Sequence, residues 1–395
     1  MNKKGYSLIQ VIIIIVITSV ISAITTGVLF NKGYNKRNID YSELSKDENV
    51  QNFLNVYSEV LNGYYENIDK KEMINSAING MMNYLNESYT SYLGDDAADS
   101  LMNQLKGTYE GIGVTIQNGV ILSLIDNSPA QLVGLLPGDK IVMVNDTDVT
   151  ERPDEISTII KNNKDNVILV VERDDEKLTF NLNTEELNVP NVESKIINST
   201  KIGYVKAKVF TNNLTDVFKD SLNSLEEQGM ESLIIDLRDN TGGYLEQAYN
   251  VASLFLKKGK IIYSLKDKDR TVKYKDEDNN SKNYKVIVLV NHSTASAAEI
   301  LTTALKDSYG ATVVGTTTYG KGKVQHTYSL NSGGLVKYTS SLWLRPNGTC
   351  IDKVGIVPDY KIENEIIYDD TDPENIIVEQ VIDNQLNKAI ELLSI

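Results

Sequence analysis

The sequence predicts an α+β multidomain chain: an N-terminal transmembrane helix, a helical region, a β-rich module and a larger α/β core. Three observations predict it. Leu8 to Phe30 is a run of 23 residues without a charge; residues 105–184 break into short strand-like runs divided by Gly, Pro and Asn; and from Ile202 onward apolar strand-like runs alternate with amphipathic helical ones. The predicted boundaries are 1–31 for the anchor, 32–47 for a polar linker, 48–104 for the helical region, 105–184 for the β-rich module and 185–395 for the core.

Composition narrows the function classes. Lys and Arg number 39 against 54 Asp and Glu, a net charge of −15, which disfavours nucleic acid as a partner because phosphate binding needs a basic surface. One cysteine, Cys350, excludes an intrachain disulfide, and two histidines without a Cys or His cluster leave no zinc motif. No metal or other cofactor is expected. The Leu8–Phe30 run exceeds the ~20 residues that cross a bilayer and the ~7–15 of a cleaved signal core, so a retained anchor is predicted. Lysines flank both ends, and charge alone does not orient it.

Two amphipathic helices should follow the linker. Phe53, Val56, Tyr57, Val60, Leu61 and Tyr64 form one stripe, and Ile74, Ala77, Ile78, Met81, Met82 and Leu85 a second, which opens at a capping-box-like Asp69-Lys70-Lys71-Glu72. These stripes need a partner, either the rest of the chain or a second copy in a homodimer.

The β-rich module carries Gly111-Ile112-Gly113-Val114, then Ser128-Pro129-Ala130, then Leu136-Pro137-Gly138-Asp139. A short helical run from Arg152 to Lys161 follows, and then a hairpin of Val167–Val171 with Leu178–Leu182 across Asp174-Asp175. That ordered string resembles a PDZ domain of bacterial proteases. The resemblance implies that the backbone N–H groups of the loop at Gly111, Ile112, Gly113 and Val114 bind a peptide's C-terminal carboxylate, and that the adjoining strand edge takes up the tail.

In the core, Asp239-Asn240-Thr241-Gly242-Gly243 follows the apolar run Leu233–Leu237, and paired glycines there can leave N–H groups free for a ligand. A helix is expected from there to about Leu256, an exposed loop or hairpin over 266–285, and strands at 335–344 and 360–362. A closing amphipathic helix is expected over 375–393. After the apolar run Val286–Val290, Ser296 should lie at the start of a helix, where free N–H groups and the helix dipole favour an oxyanion. Taken alone it would be an ordinary N-cap. A base changes that reading. A histidine base would have to be His292 or His326; if residues 321–326 form one strand, alternation sets Lys321, Lys323 and Gln325 on one face and His326 on the other. Lys321 is the better candidate. At an ordinary value of ~10.4 only about one lysine in 2,500 is neutral at pH 7, so the site has to lower it by burial. Lys323 beside it either helps by repulsion or points to solvent. Cys350 has no basic partner in the sequence and reads as an inert thiol.

Read together, Gly80-Met81-Met82 with Ser91-Tyr92-Leu93, the PDZ string, Asp236-Leu237-Arg238, Ser296-Ala297-Ala298-Glu299, Gly320-Lys321-Gly322-Lys323-Val324-Gln325 and Gly355-Ile356-Val357-Pro358-Asp359 resemble the carboxyl-terminal processing peptidases, the tail-specific protease family. The resemblance implies a ClpP/crotonase-like core, a membrane-anchored serine endopeptidase with its catalytic part extracytoplasmic, and protein substrates engaged through their C-termini. It implies Ser296 as nucleophile, Lys321 as base and Gln325 as the third member, with oxyanion donors at Ala297 and one of Gly242 and Gly243. Thr241, Ala298 and Lys323 depart from the family's usual residues. The alternative is a PDZ-based scaffolding protein on a catalytically silent core.

Overall fold

The computed structural model describes residues 41–369 and 377–394. The predicted anchor lies outside them, and among the described residues no helix is long and apolar enough to cross a membrane. The chain divides into two compact units, Met1–Met81 and Met82–Ile395. In the first, the helix Glu48–Gly63 is capped by Asp47, whose Oδ1 accepts from the N–H groups of Asn49 at 2.8 Å and Val50 at 3.3 Å. Asp69 caps the helix Lys70–Tyr84 through the N–H groups of Lys71 and Glu72. Neither helix buries a residue, and Phe53 and Val56 are exposed.

In the second unit, the β-rich module is an antiparallel sheet. Its strand order is Val114–Gln117, Val120–Leu124, Lys140–Val144, Val167–Arg173, Glu176–Leu182, around a core of Ile121, Ile141, Val144, Ile156, Val167 and Leu169. Its turns obey local chemistry. Asp174 and Asp175 both take positive φ, as a two-residue hairpin with the right twist requires. Asp139 is buried because it accepts from Arg173 Nε at 2.6 Å and from the Leu136 N–H at 2.9 Å, fixing the Leu-Pro-Gly-Asp turn to the last hairpin.

The core is a six-stranded sheet in the order Val192–Ile196, Ile202–Ala207, Ser232–Asp236, Lys285–Val290, Thr312–Gly315, Tyr360–Lys361; all pairs but the first are parallel. Period-2 alternation splits its side chains between two layers. Leu233, Ile235, Val286, Val288 and Val290 pack beneath helices that include Leu214–Glu227, Leu245–Ser253 and Ala297–Ala304. Ile234, Ile287, Leu289 and Val314 pack on the other face, against Ala389 of the helix Asn384–Leu393. Asp383, the N-cap of that helix, is held by Arg238, which also forks onto the buried Asp236. A second sheet joins Ser91–Leu93, Leu335–Leu344, Ile261–Lys266 and Thr271–Lys275, with Lys323–Ser329 paired to Leu335–Leu344.

Three expectations need correction. Residues 377–382, expected as helix, form a strand paired with Glu365–Asp369, in keeping with the β-branched Ile377, Val378, Val381 and Ile382. The helix after the paired glycines ends at Ser253 rather than near Leu256. Residues 321–326 are not one strand: it begins at Lys323, and its register shifts between Val324 and Gln325.

Candidate active site

Two turns meet at the C-terminal ends of neighbouring core strands. Ser296 precedes the helix Ala297–Ala304 with φ 57° and ψ −119°. An ordinary N-cap residue lies in the β region, so this serine is held in a strained turn of the kind that surrounding structure must enforce. The enforcement is visible: Ala295 N–H donates to the Asn240 carbonyl at 2.9 Å, Thr294 Oγ1 to the Leu237 carbonyl at 2.8 Å, and Asn291 Nδ2 to Asp239 Oδ1 at 2.7 Å. These bonds fasten the serine turn to the glycine turn.

Both glycines are there for close approach. A Cβ on Gly242 would lie 2.8 Å from Ser296 Cβ, and one on Gly243 would lie 2.3 Å from the Phe210 carbonyl oxygen. Their N–H groups differ in use. Gly242 donates to Asn240 Oδ1 at 2.9 Å, so of the pair only Gly243 keeps a free N–H among the described residues. The Ala297 N–H opens the helix and belongs to its unsatisfied first turn.

The lysine loop is brought in by Glu299, which is fully buried. Its Oε2 accepts from the N–H groups of Ser296 and Lys321, each at 2.9 Å, and its Oε1 from the Gly320 N–H at 2.8 Å and Thr318 Oγ1 at 2.5 Å. Burial pushes this carboxyl up from its ordinary value, and the donors pull the other way. On the far side of Lys321, the Trp343 indole donates to the Lys321 carbonyl at 2.8 Å. The lysine backbone is therefore gripped at both its N–H and its carbonyl.

The Lys321 side chain is partly buried with its Nζ 4.9 Å from the centre of the Tyr89 ring. Burial lowers its amine below the ordinary value, Lys337 pushes the same way, and Glu299 and Glu87 pull back. The helpful neighbouring cation is thus Lys337. Lys323 instead pairs with Glu87 at 3.1 Å, answering whether it repels Lys321 or faces solvent: it is neutralised in a network. Burial pushes Glu87 up, but bonds from Thr339, Lys323 and Thr90 outweigh it and hold the carboxyl at about 2. Gln325 donates to the Lys323 carbonyl at 3.3 Å and does not reach Lys321 here. His292 and His326 are both exposed, and His326 packs edge-on to Tyr338. Cys350 is an exposed free thiol. Among the described residues no group of acidic, His or Cys side chains could hold a metal ion.

The Tyr109 hydroxyl already engages part of the PDZ-type loop. Gly113 N–H is not free: it donates to the Tyr109 hydroxyl at 2.8 Å. The Tyr109 ring lies so close over Gly111 that a Cβ there would collide with it at 2.2 Å. Ile112 is buried beneath the loop, with its carbonyl accepting from Ala130.

Comparison with known proteins places the chain in a family. A model of peptidase family S41 matches residues 201–362, a PDZ domain model residues 120–173, and the activating protease CtpB N-terminal domain residues 26–97. The "Probable CtpA-like serine protease" of Staphylococcus aureus (strain COL) is 32% identical over 372 residues, spanning 92% of this chain and 73% of that protein. The chain belongs to peptidase family S41. This S41 peptidase is also 30% identical over 371 residues to the protein of the same name in Staphylococcus epidermidis (strain ATCC 12228 / FDA PCI 1200), covering 91% of this chain and 74% of that one. A solved structure of a candidate S41 protease from Bacteroides fragilis NCTC 9343 shares its fold, with a TM-score of 0.50 at 16% identity, over 84% of this chain and 91% of that one. The expected kinship holds: the protein is a serine-type peptidase of family S41 with a PDZ domain.

In this S41 peptidase the residue that sequence reasoning passed over is Glu299, quoted there only as part of a motif. The signal was present: Ser296-x-x-Glu299 is capping-box spacing, which returns the glutamate to the N–H of the serine. Glu87 and Tyr89 carried no comparable signal, because the partners that bring them to the site, Lys323 and Thr339 for Glu87 and Lys321 for Tyr89, lie more than two hundred residues away.

Proposed function

We propose that Ser296 is the nucleophile, Lys321 the general base and Gln325 the group that orients the lysine, in an endopeptidase that cuts proteins near their C-terminal tails. The supporting observation is the single Glu299 oxygen shared by the Ser296 and Lys321 N–H groups, which sets a strained serine beside a partly buried lysine. Neutral Lys321 takes the Ser296 proton as Oγ attacks the scissile carbonyl. The oxyanion is held by the N–H groups of Ala297 and Gly243, with Gly242 shaping the turn. Lys321 returns the proton to the leaving amine, and water hydrolyses the acyl-enzyme. Gln325 joins by turning from the Lys323 carbonyl toward the lysine.

The charge-free run Leu8–Phe30 supports a single-pass membrane anchor, with the catalytic part on the extracytoplasmic side as in the family it resembles. The PDZ domain would bind or gate substrate tails. The exposed apolar stripe of Glu48–Gly63 favours a homodimer through the N-terminal helices. The test is incubation of the full chain in detergent with an unstructured protein, beside Ser296→Ala and Lys321→Ala. Cleavage by wild type alone supports the mechanism, and equal cleavage by all three rejects it. Intact full-length protein in the soluble fraction of cells would reject the anchor.

A further inference from the structure

Tyr89 precedes the strand Ser91–Leu93 and has no role in the mechanism above. Its ring centre lies 4.9 Å from Lys321 Nζ and 5.8 Å from Lys323 Nζ. The ring is fixed from several sides. Glu87, two residues earlier, accepts from Lys323 Nζ at 3.1 Å, Thr90 Oγ1 at 2.9 Å and Thr339 Oγ1 at 2.6 Å; Ser91–Leu93 then pairs with Leu335–Leu344. The Tyr89 hydroxyl neighbours the side chain of Tyr319, whose N–H donates to the Thr294 carbonyl at 3.0 Å, two residues before Ser296. The ring thus lies between the serine turn and the lysine loop.

The face of an aromatic ring attracts a cation and is nearly indifferent to a neutral amine. The other charged groups around Lys321 offer it no direct pair. Lys337 repels it, Lys323 and Glu87 are paired with each other, each Glu299 oxygen already holds two donors, and Asp352 accepts from the Gly322 N–H. Among the described residues no ion pair or hydrogen bond holds Lys321 Nζ, so the ring is its cation partner.

We propose that Tyr89 is a positioning residue for Lys321: its ring seats the lysine as an ammonium in the resting enzyme, and the lysine becomes a base on leaving the ring for Ser296. This rests on the reading of Lys321 as the base. Tyr89 then sets how much neutral lysine is present at a given pH, and so the acid limb of the pH–rate profile.

The test is kcat/KM for cleavage of an unstructured protein by the full chain from pH 5 to 10, in wild type, Tyr89→Leu and Tyr89→Phe. Tyr89→Leu should move the acid limb down by about one pH unit, with up to about a tenfold gain on that limb, the span of a partly desolvated cation–π contact. Tyr89→Phe keeps the ring and should follow wild type. A Leu profile that superimposes on wild type, or a folded Leu variant slower at every pH, overturns the proposal; so does a Phe variant that moves as far as Leu, which assigns the effect to the hydroxyl. If Leu fails to fold, trifluorophenylalanine at position 89 weakens the ring face at nearly constant shape, and its limb should fall below that of Tyr89→Phe; equal limbs overturn the proposal. A Lys321→Ala control separates the two ideas, since retained cleavage there rejects the base itself, whereas a dead Lys321→Ala with an unmoved Leu profile rejects only the role of Tyr89.

Discussion

The backbone N–H groups of Ser296 and Lys321 donate to the same Glu299 oxygen, each at 2.9 Å. One buried carboxylate therefore fixes the separation of the Ser296 and Lys321 backbones, the proposed nucleophile and base. Glu299→Gln should expose that function. An amide offers only one acceptor oxygen, and its NH2 would face two donors, so the lysine loop must shift. A misplacement near 1 Å costs about 10²-fold in rate, and kcat/KM should fall by about that factor while the chain stays folded by circular dichroism. Wild-type kcat/KM in a folded Glu299→Gln protein would remove Glu299 from the account.

Lys321 should carry a stability cost that its proposed role as base requires. Burial lowers its folded-state value below the 10.5 of an unperturbed lysine, so folding releases a proton between the two values and wild-type stability rises with pH across that window. Lys321→Met removes the buried cation. At pH 7 it should raise Tm by roughly 2–4 °C, about 1 kcal/mol for a domain of this size, and the gap should close as pH approaches 10.5. A gap that stays constant or widens with pH would contradict the assigned burial. Differential scanning calorimetry in a pH series reads it directly.

The Tyr109 hydroxyl accepts from the Gly113 N–H, one of the loop donors expected for a peptide carboxylate from the resemblance. Tyr109→Phe removes that competitor and leaves the ring over Gly111. Measured on the full chain carrying Ser296→Ala, a fluorescent peptide with an apolar C-terminal residue and a free carboxylate should bind about 3- to 10-fold more tightly to the Phe variant, the worth of one hydrogen bond. The same peptide with a C-terminal amide should show no such gain. Equal or weaker binding of the free acid would mean that the hydroxyl does not compete for that site.

Much of this was legible in the sequence where the signal is local. The Asp174-Asp175 hairpin, the Asp69 cap and the helix after Ser296 follow from turn chemistry and periodicity within a few residues. The two faces of Lys285–Val290 were not separable, since a parallel strand buried on both sides reads as a continuous apolar run. The Ile377–Ile382 strand was misread because its apolar residues also satisfy helical spacing, and the deciding partner, Glu365–Asp369, is a pairing rather than a pattern. At the candidate site, Ser296 and Lys321 stand out in the sequence by their glycine and helix context. The direction of the Gly242 N–H, the pairing of Lys323 with Glu87 and the seat on Tyr89 depend on where distant side chains arrive.

The central claim is that Lys321 makes Ser296 nucleophilic. Its most direct measurement is the rate at which a fluorophosphonate labels Ser296, followed by peptide mass spectrometry across pH in wild type and Lys321→Ala. Wild type should label at Ser296, with a rate that climbs through an apparent value below 10.5. Lys321→Ala should label at least ~10²-fold more slowly at neutral pH, the least expected of a lost general base. Equal labelling rates in the two proteins, or label on any other residue, would contradict the account.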